Sequence, residues 1–162
     1  MPSIVERPDQ PYFAVPSTVT MQTIAGAVDR LPALVLWAAS RGIQPAGPPF
    51  LKYDVIDMAG ALEVRVGFPL AEAATGEGEI APGVLPAGRY VSVVHTGHPA
   101  SLAGATRDLL DWAAAEGLRW DMTTTDAGEA WGARLEVFLT DPRVEPDPDK
   151  WQTELLFRLA DY

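Results

Sequence analysis

Two glutamates each interrupt a short apolar strand near the end of the chain. In WGARLEVFLTDP, Leu135, Val137 and Leu139 alternate with Arg134, Glu136 and Phe138; further on, Leu155, Phe157 and Leu159 alternate with Glu154, Leu156 and Arg158. Strand side chains point to opposite faces at a period of two. The pattern therefore predicts a core face and a second face on which Glu136, Phe138, Glu154 and Leu156 gather. A carboxylate set among apolar groups can hold a cationic or polarised molecule, because the attraction strengthens as water is excluded. Two carboxylates over one cleft can also divide acid and base work, one activating water and the other, protonated by burial, polarising an electrophile.

Aromatic residues supply candidate walls for such a cleft: Phe50, Tyr53, Tyr90, Trp112, Trp120, Trp131 and Phe138. A ring face contributes apolar area and a cation–π attraction of about 0.5–2 kcal/mol. Trp112 and Trp37 lie on helical stripes, where an aromatic equally serves a core. Glu63 reads as a surface residue, and His95, in line with Val91 and Val93, as a hydrogen-bonded structural histidine.

Composition narrows the function classes. Twelve basic and 22 acidic residues in 162 give a net charge of −10, a field that repels phosphate backbones and anionic lipid. Direct nucleic-acid binding is not expected. The absence of cysteine removes disulfides, thiolate nucleophiles and thiolate metal sites. His95 and His98 are not accompanied by ligands at metal-site spacing, so neither a metal nor a cofactor is expected. The N-terminus lacks the charge and apolar pattern of a secretory signal, and no apolar run spans a bilayer, which reads as a soluble, cytoplasmic protein.

The elements that must position these residues follow from periodicity. An irregular lead-in over 1–16 precedes a strand from Val15 to Gln22. Thr23 is placed to cap a helix reaching Ser40, with Pro32 forcing a kink or a division into two shorter helices. A hairpin follows, Phe50–Asp57 and Leu62–Leu70, its turn at Met58–Ala61; residues 71–88 read as an exposed connector. Arg89–Thr96 predicts a strand, Ser101–Glu116 a helix ended by Gly117, and a loop carrying Trp120, Met122 and Thr123–Thr125 leads to the last two strands.

The two halves overlay. LWAASRGIQP (36–45) matches DWAAAEGLRW (111–120), and LEVRVGFP (62–69) matches LEVFLTDP (135–142), pairing Glu63 with Glu136 on the face opposite the helices. The fold expected is a single α+β domain over 1–162. It is an internal duplication of a strand–helix–strand–strand unit (about 15–70 and 89–160), with antiparallel sheets, helices outside and a central ligand cleft. Duplication within one chain supplies what a dimer interface would, so a monomer is expected.

AGPPFLKYDVIDM (46–58), LPAGRYVSVVHTG (85–97), WGARLEVFLTDP (131–142) and PDKWQTELLFRL (148–159) occur in an order that resembles the GyrI-like small-molecule-binding domains. These also form the effector-binding halves of BmrR-type multidrug regulators. The resemblance implies two units about a pseudo-twofold axis and an aromatic box with a carboxylate at its floor. By motif, Tyr53 matches the tyrosine of the first hairpin, Glu136 the glutamate of the second, and Glu154 the acidic residue of the threonine–glutamate–leucine step. Asp54 stands where the family often has histidine, and Phe138 where tyrosine is common, which removes a hydroxyl. The implied function is stand-alone binding of lipophilic, aromatic, often cationic small molecules in drug sequestration or sensing. Two alternatives accompany it. One is a hydrolase of electrophilic aromatic natural products, like the cyclopropanoid cyclopropyl hydrolases, with Glu136 and Glu154 as its catalytic pair. The other is a gyrase-inhibitor-like interaction module.

Overall fold

The computed structural model describes residues 2–57 and 59–161; of the expected hairpin turn, Met58 lies outside the described residues. Alternation decides the strands. In β4 (Leu62–Pro69), Leu62, Val64, Val66 and Phe68 are all buried, while Glu63 and Arg65 between them face the other way. β4 pairs with β3 (Phe50–Ile56) and with β2 (Gln10–Val19). An extra residue at Asp54 bulges β3 and bends the hairpin.

The chain opens with β1 (Ser3–Arg7), a strand inside the expected irregular lead-in. After β2 come α1 (Ile24–Val28) and α2 (Leu31–Ser40). This is the division into two helices that Pro32 predicts; the proline sits in the first turn of α2, where its missing N–H costs no helical bond. The Thr23 side chain does not cap α1; its Oγ1 accepts instead from the Thr20 amide at 2.8 Å. The expected connector holds β5 (Ala81–Leu85), which joins β6 (Gly88–Thr96) and leads to α3 (Leu102–Ala115). The expected loop before the last strands holds a hairpin, β7 (Met122–Thr125) and β8 (Gly128–Trp131), ahead of β9 (Arg134–Phe138) and β10 (Gln152–Arg158). Gly42 and Gly117 follow the ends of α2 and α3 at φ +72 each, the left-handed stop expected of both.

One antiparallel sheet results, in the order β1-β6-β10-β9-β3-β4-β2-β5, with β8 pairing β3 and β7 beyond it. The arrangement outward from the central β9·β3 pair is the same on both sides: β10 then β6 on one, β4 then β2 on the other. β4 and β9 thus hold different places in the sheet, and the overlay of 62–69 on 135–142 does not follow the topology. β5 ends the order and β6 is second from the opposite end, yet only Pro86 and Ala87 separate them in sequence. The sheet must therefore curl into a half-barrel. Gly67 permits part of this, since a Cβ there would stand 1.9 Å from the Phe13 carbonyl oxygen. Arg158 fixes the closure: its guanidinium donates to the Ala87 carbonyl at 2.7 Å, to Asp121 at 2.9 Å and to Asp161 at 3.2 Å.

The curl separates two apolar layers. One face carries Tyr12, Phe50, Leu85, Tyr90, Leu135, Val137 and Leu156. The other carries Phe13, Leu51, Val66, Phe68, Val91, Leu155 and Phe157 and is covered by the helices. α1 and α2 pack over β2 and β4, and α3 packs over β6. A gap is left above β9 and β3. Among the described residues, no helix is long and apolar enough to cross a membrane.

Candidate functional site

The gap between the helices is a cleft of about 1770 Å³. Its walls are apolar side chains of the helices, Val35 and Leu36 of α2 and Leu102 and Leu110 of α3, with Pro48 and Pro49 closing one side. Its floor is the helix-side face of β3 and β9: Leu51 and Tyr53 from the first, Arg134, Glu136 and Phe138 from the second. This location explains why Leu36 is 71% exposed, for it stands at the rim of the cleft.

Strand register puts these groups together. Leu51 pairs with Glu136 across the β3·β9 junction, and Leu155 of β10 pairs with Glu136 on its other side. Directly opposed residues share a face, so Glu136 stands in an apolar row with open space only toward the cleft. Burial raises its carboxyl above the usual glutamate range, while the nearby Tyr53 hydroxyl and the charge of Arg134 pull the other way. The same burial, with the charge of Glu136 close by, raises Tyr53 far above the ordinary phenol range, so it stays a neutral donor. The floor is therefore an acid whose neutral form burial favours, beside a phenol that stays neutral.

The expected pairing of Glu136 with Glu154 does not occur. Glu154 pairs with Val137 and with Val94, which places it on the opposite face of the sheet, and it accepts a hydrogen bond from Ser92 Oγ. The reason is that a one-residue offset in register exchanges the faces of a whole strand. Glu63 lies on that opposite face as expected, whereas Glu136 does not.

The aromatic candidates divide likewise. Tyr53 and Phe138 line the cleft. Phe50 and Tyr90 are 2% and 1% exposed on the far face, Phe50 edge-on to Tyr12 with centroids 5.5 Å apart. The Tyr90 hydroxyl donates to the Pro86 carbonyl at 2.7 Å, and burial pushes its pKa up to about 12. Trp120 and Trp131 form a cluster with Phe157, all three centroid distances 5.7 Å, on the helix-covered face beside the floor but outside the cleft lining. Trp112 packs against the helix-side core.

Among the polar groups lining the cleft that the sequence does not single out, Arg134 and Glu129 are the charged ones borne by the strands at its floor. Arg134 shares the period-two face of Glu136, and that alternation was the available signal. Glu129 sits in the β7–β8 hairpin, which carries no apolar alternation, and it accepts from the Trp131 indole at 3.4 Å.

Comparison with known proteins follows the same lines. The family profile for "GyrI-like small molecule binding domain" matches residues 1–160. No curated protein matches in sequence. Among solved structures, the EcmrR chain of an EcmrR–DNA complex superposes with a TM-score of 0.75 at 18% identity, over 100% of this chain and 58% of that one. The present chain thus spans little more than half of EcmrR's length. SAV2435 bound to tetraphenylphosphonium is similar at a TM-score of 0.68 and 10% identity, covering 99% of this chain and 94% of that one. A hydrolase from Listeria innocua is similar at 0.66 and 16% identity, over 98% and 91%. At these identities the likenesses bear on the fold.

Proposed function

The chain belongs to the GyrI-like small molecule binding domain family, and from that membership we propose that it binds a lipophilic aromatic molecule in the cleft over β3 and β9, in sequestration or sensing of such compounds. The observation that carries this reading is Glu136, a buried carboxyl that shares with Tyr53 the floor of an apolar cleft of about 1770 Å³. Leaving a carboxyl among Leu51, Leu155 and Phe138 costs stability unless a ligand or partner compensates it. A flat ring system would cover the apolar walls, and a donor or cationic group on it would meet Glu136. SAV2435, bound to tetraphenylphosphonium, supports the size and aromatic character of such a ligand.

A hydrolase that divides its work between Glu136 and Glu154 lacks support, since the two stand on opposite faces of the sheet. The test is an equilibrium fluorescence titration with a rhodamine dye. Saturable binding at one site per chain is expected. Linear, unsaturable uptake would exclude the reading.

A further inference from the structure

Arg134 is the cleft group with the least satisfied chemistry. Its guanidinium carbon lies 4.6 Å from the ring centroids of both Trp131 and Phe157 and 5.8 Å from that of Tyr53. Stacking of this kind covers the faces of a guanidinium but not its edges, where five N–H donors point outward in the plane. Nε is shielded from solvent with no hydrogen-bond partner, and Arg134 makes no hydrogen bond or ion pair with any described residue. Arg158 shows the contrast within the same protein, with donors meeting Ala87, Asp121 and Asp161. An unmet donor in a desolvated place costs free energy, and here that donor is Nε, while the terminal nitrogens are left without a protein partner. The space beside Arg134 is the cleft itself.

The charge pattern points the same way. Arg134 and Glu136 are two residues apart on one strand face, yet they do not form an ion pair with each other. Of the rings on and beside the floor, Tyr53, Trp131 and Phe157 already face this protein's own guanidinium, leaving Phe138. A purely cationic ligand must then displace Arg134 or lie against its like charge. A ligand bearing an anionic oxygen completes the guanidinium's edge and leaves its stacking intact.

We propose that Arg134 is a ligand-binding residue and that the natural ligand carries an acidic group, such as a carboxylate, phenolate or sulfonate, beside its aromatic body. This rests on the cleft being the binding site and adds the chemical class of what enters it. Glu136 takes the donor or cationic end of the same molecule, so the site suits an amphoteric ligand.

A matched dye pair tests it: a rhodamine with a free carboxylate and its ethyl ester, which share one ring system. Wild-type protein is expected to bind the free acid about tenfold or more tightly than the ester, the ratio a charge-assisted hydrogen bond supplies. Arg134→Met should abolish or invert that preference, and Arg134→Lys, which keeps the charge, should retain part of it. The wild-type ratio alone decides the matter if a variant fails to fold. Equal binding, or tighter binding of the ester, overturns the role of Arg134 and leaves the cleft as a binding site. Failure of both dyes to bind overturns the two together.

Discussion

Replacing Glu136 by glutamine is expected to stabilise the protein at alkaline pH while weakening its hold on a cationic dye. Burial raises this carboxyl above its unfolded value, so the folded state keeps a proton that the unfolded chain gives up. For such a group the favourable contribution is complete below the unfolded pKa and is lost as pH rises through the folded one. Wild-type stability should therefore fall over that window. Glutamine resembles the protonated acid at every pH, so Glu136→Gln should match wild type near pH 4 and exceed it above the window. Each unit of displacement is worth about 1.4 kcal/mol, or roughly 3–5 °C in Tm for a chain of this size. Water in the cleft reduces this from its full value. The ester of the rhodamine pair, a cation, should lose about tenfold or more in affinity, by loss of a charge-assisted contact. Melting curves from pH 4 to pH 9 check the first part and a titration the second. Equal Tm values across the range would mean that Glu136 is solvated.

The second large effect lies far from the cleft. Arg158→Met should cost on the order of 3 kcal/mol, about 6–12 °C in Tm, although methionine fills much of the same volume. Arg158 is 8% exposed and holds the Pro86–Ala87 turn, through the Ala87 carbonyl, against Asp121. Removing it leaves the Ala87 carbonyl without its side-chain donor and Asp121 without its partner. The two ends of the curled sheet meet at that point. Denaturant unfolding reads the cost; a loss below 1 kcal/mol would mean that the curl is held by apolar packing alone.

Much of the fold was legible because its signals are local. Pro32 divides the helical stripe wherever it falls, and Gly42 and Gly117 stop helices because a left-handed residue favours glycine. β1, β5, β7 and β8 escaped notice. They are four or five residues long and mostly outside the core; β5, β7 and β8 are built with proline, glycine or threonine and β1 (SIVER) holds only two apolar residues, adjacent to each other, so no apolar alternation marks them. The site was half legible for a deeper reason. Alternation tells which residues of one strand share a face; it does not tell which face of the next strand they join. In β10 both faces are buried, Leu155 and Phe157 on one and Leu156 on the other, so hydrophobicity carries no sign. Glu154 is a cleft candidate on that ambiguity and Phe50 and Tyr90 on aromatic character alone, while Tyr53, Glu136 and Phe138 stand in the cleft. Arg134 was read only as a position in the alternation, because its three aromatic neighbours come from three different strands.

The central claim is that ligand enters the cleft above β3 and β9, and NMR chemical-shift mapping of a bound rhodamine tests it most directly. Shifts concentrated at Leu51, Tyr53, Leu110, Glu136 and Phe138, with Phe50, Tyr90, Glu154 and Leu156 unmoved, are the expected result. Shifts centred on Phe50, Tyr90 and Glu154 would contradict it and move the site to the far face of the sheet.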